Sequence, residues 1–313
     1  MPPLLPRLLL PPPTRLLKAL LLLLLLALPL ASRAQGYAEG ISLSYERLPL
    51  HLKTPENPDF HADVLRASAI VPIVQAADSS HSLLAGASLE MLRFAGNRPG
   101  FGVGTVYGLA PIVGYRRRLN ERLELTALAL PALNSDLRAV RGADITWGGV
   151  LRAAYRANPR RAYRLTVGYR QQFYGPQYVL LLGLDWRLGP RWRLFGDLPT
   201  SFTASYAAAP WFNAGFSLTG INTAYRLLNN DQYLQYQQGH YGLFAETYLN
   251  SHWVLRAIAA YAVTRRIEVY ARDQQWPATI DYIGLGTAPH PAGPGIEKGL
   301  AFKVSLSYRV PVK

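Results

Sequence analysis

The residues of this sequence that could do chemistry are charged side chains at every second position of extended segments. Residues 300–310 show the pattern, since Leu, Phe, Val, Leu, Tyr and Val alternate there with small, polar or basic residues. A period of two predicts a strand with one apolar and one polar face. In a closed barrel the polar phase would line the lumen, and its positive excess would favour anionic solutes. The candidate lumen-lining residues are Arg152, Arg164, Arg170, Asp185, Arg187, Arg193, Glu246, Lys303 and Arg309.

The same charges support a second interpretation, in which they pair with one another. Asp185 and Arg187 share a face two residues apart, and Arg193 and Asp197 share one four residues apart. Charges removed from water must be paired, so an internal lattice of salt bridges could fill the lumen and stiffen the wall. The sequence leaves both alternatives open: a water-filled pore, or a plugged structural or binding barrel without transport.

Catalytic motifs are missing from the sequence. The six histidines show no metal-ligand spacing, and Ser80–His81 and Ser251–His252 are only neighbours in sequence. No G-x-S-x-G and no phosphate- or dinucleotide-binding loop occurs. We therefore expect no catalytic, metal-binding or cofactor-binding residue, and a hydrolase at the barrel rim is the less favoured alternative.

The first 34 residues have the features of an export signal. Arg7, Arg15 and Lys18 precede a Leu/Ala-rich run at 19–30, and small residues stand at Ser32 and Ala34. The run is shorter than the roughly 20 residues that a spanning helix needs. We expect cleavage after Ala34 and a single domain over residues 35–313.

The composition limits which partners the protein can have and favours a membrane location. The chain has no cysteine, and its formal charge of +14 falls to +10 when residues 1–34, with four basic residues and no acid, are removed. Such a basic protein could bind nucleic acid, but its basic residues are spread through alternating strands, so we expect no nucleic-acid partner. The 19 Tyr and six Trp suit the two interfaces of a bilayer.

About fourteen candidate strands follow one another at an even spacing. The longest predicted connections all follow odd-numbered strands, at 48–60, 95–103, 134–143, 227–239 and 271–298. A soluble β-sandwich has no reason to separate long from short connections in this way. The prediction is an all-β, transmembrane, antiparallel up-and-down β-barrel with short periplasmic turns and long extracellular loops. The count is 12 to 14 strands, because 191–198 and 201–207 are short for a spanning hairpin.

Two of the predicted loops have unusual compositions. Residues 227–239 are rich in Asn, Gln and Tyr, which could bind a sugar by stacking and amide hydrogen bonds. Residues 287–299 are rich in Pro and Gly and read as a flexible surface loop, although a lid or gate is an alternative.

Four stretches carry a resemblance to a known family. They are Y-R-R-R-L-N-E-R-L-E-L at 115–125, G-L-D-W-R-L-G-P-R-W-R-L at 183–194 followed by D-L-P, V-L-R-A-I-A-A-Y-A-V-T-R-R-I-E-V at 254–269, and G-L-A-F-K-V-S-L-S-Y-R-V at 299–310. With them the chain resembles a domain-of-unknown-function family of outer-membrane β-barrels of diderm bacteria. The resemblance implies the fold and the location, and it brings no activity or functional residues.

The expected partners follow from that location. They are the outer-membrane lipid, the barrel-insertion machinery during assembly, and a small solute whose identity is open. Barrels of this kind often end on an aromatic residue that the insertion machinery reads, and Tyr308 is the candidate here. The predicted function is passive passage of small solutes across the outer membrane, with anions as the favoured class.

Overall fold

A computed structural model describes residues 37–54, 59–76, 80–97, 101–228 and 231–311. The predicted export signal lies outside the described residues. The strands are β1 (Tyr37–His51), β2 (Asp59–Gln75), β3 (His81–Gly96), β4 (Thr105–Arg118), β5 (Leu123–Ala129), β6 (Ala132–Ser135), β7 (Ile145–Thr146), β8 (Gly148–Asn158), β9 (Arg161–Gln172), β10 (Gly175–Arg187), β11 (Trp192–Leu198), β12 (Ser201–Ala209), β13 (Phe212–Leu227), β14 (Gln232–Tyr248), β15 (Trp253–Ala271), β16 (Ala278–Ile280), β17 (Ile283–Leu285) and β18 (Leu300–Pro311). A 3-10 turn at Gly142–Asp144 precedes β7.

The strands form one closed antiparallel barrel. Strand β1 pairs with β2 on one side and with β18 on the other, so the sheet has no free end. Over the described residues the wall has 14 strands, because β5 with β6, and β7 with β8, each form one interrupted strand. The predicted antiparallel barrel of 12 to 14 strands is confirmed.

The two ends of the barrel differ in their connections. At one end, the turn end, short turns such as 159–160 and 210–211 join the strands. The other end, the loop end, carries the long connections, among them 272–299. One predicted loop is wrong: residues 227–239 are mostly strand, since β13 continues to Leu227 and β14 begins at Gln232. These residues do not alternate between an apolar and a polar face because both of their faces are covered by protein.

The outer face of the barrel is an apolar band between two rows of aromatic rings. Leu182 and Leu243 are 63% and 70% exposed on this face, although a soluble protein would bury such side chains. Tyr163 contacts Trp186 near the turn end, and Tyr169 contacts Tyr178 nearer the loop end. Tyr163 and Tyr169 are six residues apart, or about 20 Å along the strand. An apolar band bounded by aromatic girdles is the outer surface of a transmembrane barrel.

The described residues contain no helix that is long and apolar enough to cross a membrane.

The loop-end parts of β13, β14 and β15 leave the wall and fold into the lumen. We call residues 221–227, 232–240 and 262–271 the plug sheet. Strand β15 pairs with β18 only as far as Tyr261, and the register of β14 on β15 shifts at Gly239 and His240. Beyond this bulge the three strands stay paired with one another while they cross the lumen.

Both faces of the plug sheet are packed. One face places Tyr225, Tyr236 and Ile267 against apolar side chains on the inner faces of β1 to β4, such as Leu48 and Leu92. The other face forms a second buried cluster, whose members are Ala224, Tyr233, Tyr270, Tyr174 and Trp276. The plug sheet therefore fills the loop-end half of the barrel.

Part of the loop between β15 and β18 takes the place of wall strands. We call residues 276–285, which include the β16–β17 hairpin, the wall panel. Strand β16 pairs in parallel with the edge of β10 at Gln177 and Tyr178, above the point where β11 ends. Farther along the loop, Ile296 forms a bridge with Leu52 at the end of β1. The prediction of a flexible surface loop at 287–299 is not tested by these contacts.

Candidate functional site

A cavity of about 520 Å³ lies in the barrel below the plug sheet. This volume is in the range of small-molecule sites. Its charged lining residues are Arg66, Glu90, Arg170, Asp281 and Lys303. Its aliphatic lining residues include Leu130, Val150, Val179, Leu181 and Ile221. The cavity thus offers both cationic and apolar surface to a solute.

A network around Arg66 joins the cavity wall to the plug sheet. The guanidinium donates to Glu46 (Nη1 to Oε2, 2.8 Å), to Glu90, and more weakly to the hydroxyl of Tyr236 (Nη2 to Oη, 3.4 Å). The hydroxyl of Tyr225 also donates to Glu90. Because Tyr225 and Tyr236 belong to the plug sheet, these hydrogen bonds tie it to β2 and β3. We call the five residues the latch.

Most of the charges that the sequence predicted to line the lumen are paired toward the turn end. Arg164 donates to Asp197 (Nε to Oδ1, 2.9 Å), and the second oxygen of Asp197 lies 3.6 Å from Arg152 Nη2. Arg193 forms a two-pronged pair with Asp185, with distances of 2.8 and 2.7 Å. These pairs fit the salt-bridge interpretation of the polar phase.

The most buried of these pairs joins β14 to β18. Arg309 donates to both oxygens of Glu246 at 3.0 Å, and both residues are less than 5% exposed. Asn213 adds a hydrogen bond to the same carboxylate (Nδ2 to Oε1, 2.9 Å). Two charges buried this deeply are tolerable because each satisfies the other.

Three of the predicted cations form no ion pair with any acid in the described part of the chain. Arg170 and Lys303 line the cavity, whereas Arg187 lies beside a smaller space near the turn end. Lys303 is the cross-strand partner of Glu46 and lies within reach of its charge, but the carboxylate of Glu46 forms its ion pair with Arg66. Arg170 and Lys303 are therefore the cations available to a solute in the cavity. That the predicted set lines a conducting path stays a prediction.

The histidines do not assemble a catalytic arrangement in the described ranges. Ser80 and Ser251 hydrogen-bond to His81 and His252, their neighbours in sequence, at 3.1 and 2.7 Å. Neither histidine contacts a carboxylate of a described residue. No group of three His, Asp or Glu residues that could hold a metal ion occurs among the described residues.

Sequence reasoning missed the plug sheet and the wall panel. It also missed the residues that line the cavity from them, among them Tyr225, Asp281 and Tyr282. The only signal was the loss of alternation within 211–226 and 253–270, which indicates bulges or strands beyond the membrane and does not reveal an inward fold.

Several solved membrane channels superpose on the chain at low similarity. A channel of the outer membrane from Pseudomonas putida F1 has 11% identity and a TM-score of 0.43, with 88% of this chain and 97% of that chain covered. The NanC porin has 8% identity and a TM-score of 0.39, with 87% and 100% covered. The Pseudomonas putida toluene transporter TodX has 10% identity and a TM-score of 0.40, with 87% and 88% covered. Because these TM-scores are below 0.5, no function is transferred from them.

A search of the curated proteins found no matching sequence. A family match covers more than half of the chain, from residue 108 to residue 276. This segment runs from β4 to the beginning of the wall panel, and so includes the plug sheet and most of the cavity wall. The chain belongs to the family described as Domain of unknown function (DUF6268).

Proposed function

We propose that this protein is a passive channel of the outer membrane of a diderm bacterium, exported by a cleaved signal, which transfers small solutes and favours anions. The observation that carries the proposal is the cavity below the plug sheet, which is lined by Arg170 and Lys303, two cations that form no ion pair with an acid of the described residues. Cations that line a confined, low-dielectric space attract anions. The loop end would face the outside of the cell, and the turn end the periplasm.

The test is the reversal potential of the protein in a planar bilayer under a gradient of potassium chloride. We expect small current steps, because the plug sheet leaves only narrow paths, and a reversal potential shifted toward that of chloride. Arg170→Gln with Lys303→Gln should reduce this shift, and the double change to Glu should invert it.

The matched control is Arg117→Glu with Arg118→Glu at the turn end, which changes the net charge as much as the double Glu variant of the cavity. Both control residues are exposed at the end of β4, so high salt screens them and the reversal potential should not change. A shift of equal size in the control would contradict the role of the cavity.

A second candidate is a plugged barrel that does not transport. It is favoured by the packing on both faces of the plug sheet and by the paired charges toward the turn end. Bilayers that stay silent after insertion of folded protein would support this candidate over the channel.

A further inference from the structure

The barrel wall has a gap at the loop end, and among the described residues the wall panel is what closes it. Strands β11 and β12 are short, and their connecting turn lies level with Leu182 of β10 and Thr219 of β13. Above that level β10 pairs with β16 instead of β11, and β13 turns inward as part of the plug sheet. The wall panel therefore occupies the space that longer β11 and β12 strands would fill.

The wall panel is held to the wall along one edge, that of β10. Its parallel pairing with β10 spans two residues, and backbone bonds run from Trp276 N to Tyr174 O (2.8 Å) and from Asp281 N to Tyr178 O (2.9 Å). Three further hydrogen bonds, which involve side chains, run along the same edge. In the part of the chain that the structure describes, β17 pairs with no strand but β16. A three-residue strand with one unpaired edge is a weakly held part of the wall.

The wall panel separates the cavity from the bilayer. Its outward side chains, Ile280, Ile283 and Leu285, are exposed on the apolar band. Ile280 is in register with Tyr178 of the loop-end aromatic girdle, which places the hairpin in the outer leaflet. On the inner side, Asp281 and Tyr282 at the hairpin tip line the cavity.

The tip of the wall panel meets the β11–β12 turn at a seam. Thr200 of that turn and Gly220 of β13 line the cavity beside Tyr282. The Tyr282 hydroxyl lies so close to Gly220 that a Cβ at position 220 would displace the tyrosine. Because the plug sheet lies above the cavity and narrows the axial route, the seam is a direct lateral route from the cavity to the outer face of the barrel.

We propose that the wall panel is a lateral gate, through which an organic anion with an apolar body passes between the outer leaflet and the cavity. The inference rests on the proposed function and adds a route and a substrate class to it. Val179, Leu181 and Ile221 line the cavity near the seam and suit an apolar body. Arg170 and Lys303 are the cations that would receive the anionic head.

The surface behind the wall panel is polar. The amides of Asn222 and Gln237 donate to the carbonyl oxygens of Asp281 (3.2 Å) and Tyr282 (3.1 Å). When the panel moves, these amides are released and would otherwise lack partners in a lipid environment. A polar head of a passing solute would supply acceptors, so a purely apolar molecule should be a poorer substrate than an amphipathic anion.

The test locks the wall panel with a disulfide, which the absence of native cysteine makes possible in the full chain. Tyr178→Cys with Ile280→Cys joins two outward residues that are Cα partners in the parallel pair. The probe is a pyrene-labelled alkylsulfonate, whose permanently ionised head does not cross a bilayer unaided. Its transfer into phosphatidylcholine proteoliposomes is followed by binding to trapped albumin, before and after reduction.

The matched control is Leu165→Cys with Leu182→Cys. These two outward-facing residues are Cα partners in the long antiparallel pairing of β9 with β10. We expect the panel lock to slow probe transfer at least tenfold, reduction to restore it, and the control lock to change nothing. Unchanged transfer in the locked protein, with an intact chloride-selective current, would overturn the lateral gate alone. Folded protein without any current would overturn the proposed channel itself.

Discussion

At the scale of single residues, the charges inside the barrel divide into those that form ion pairs and those that do not. Toward the turn end Arg164, Arg193 and Arg309 have carboxylate partners, whereas Arg170 and Lys303 in the cavity form no ion pair with a described acid. The sequence predicts which residues share the polar phase, because the period of two fixes it. It does not predict the pairing, because Arg164 and Asp197 are 33 residues apart and meet only through the register of β9, β10 and β11.

The buried pair of Arg309 and Glu246 should contribute strongly to stability. Replacing Glu246 by Gln removes the carboxylate that accepts from both terminal nitrogens of the buried Arg309 guanidinium and leaves the more exposed Glu39, 3.5 Å from Nε, as its counter-charge. Removing one partner of a buried pair typically costs about 3–5 kcal/mol. We expect Glu246→Gln to lower the free energy of unfolding by that order in a urea titration, followed by the gel shift of folded barrels.

Two variants check the cause of this effect. Adding Arg309→Met to Glu246→Gln removes the buried guanidinium that has lost its main carboxylate partner and should restore part of the lost stability. Glu121→Gln in an exposed turn should have little effect. A double variant that is less stable than the single one would show that Arg309 contributes through other contacts.

At the scale of the elements, the latch ties the plug sheet to the inner wall, and we expect the channel to open more often when this tie is weakened. Tyr225→Phe removes the hydrogen bond to Glu90 and keeps the packing of the ring. A single hydrogen bond contributes about 1 kcal/mol, so we expect roughly a fivefold increase in the frequency of current openings.

Tyr169→Phe is the control for this change, because Tyr169 is exposed in the loop-end girdle and makes no contact with the plug sheet in the described structure. Equal opening frequencies in the wild type and in Tyr225→Phe would show that this hydrogen bond does not control channel opening.

The packing of Trp276 in its buried cluster should hold the wall panel in place. The indole packs directly on Gly284, where any Cβ would overlap the ring. Gly284→Val should displace Trp276 from its buried cluster and loosen the panel. We expect faster tryptic cleavage after Arg272 than in the wild type.

Gly104→Val provides the comparison, since a Cβ at Gly104 would meet no atom within 4 Å and the residue lies in another loop. A cleavage rate after Arg272 that is the same in both variants would mean that the ring does not anchor the panel.

The elements also show where sequence reasoning succeeds and where it stops. A strand between lipid and lumen shows its alternation directly, as residues 300–310 do. Residues 232–238, with four Gln and two Tyr, do not, because Tyr236 packs on apolar side chains while Gln235 and Gln237 hydrogen-bond on the opposite face. Such a segment resembles a polar loop until its partners are known, and these partners lie far away in the sequence.

At the scale of the whole molecule, the apolar band must match a bilayer. Leu182 lies midway along β10 and faces outward, and an arginine at the midplane of a barrel costs about 2–4 kcal/mol. We expect Leu182→Arg to lower the free energy of unfolding in phospholipid vesicles by this amount.

The matched position is Leu188, which is also exposed but directly follows β10 at the turn end. An arginine near the interface costs only about 0–1 kcal/mol, so Leu188→Arg should be close to the wild type. Equal costs at both positions would contradict the placement of the band, as would a monomer that stays folded in buffer without detergent.

The order of the segments along the chain has a consequence for biogenesis. The wall panel lies between β15 and β18, and β18 closes the barrel by pairing with β1. Once β18 has paired with β1 the interior is enclosed, and the three strands of the plug sheet cannot enter it from outside. The nascent barrel therefore has to tuck these strands inward while it is still an open, curved sheet. In an assembly intermediate arrested before β18 pairs with β1, proteases should reach plug-sheet tyrosines that they cannot reach in the closed barrel.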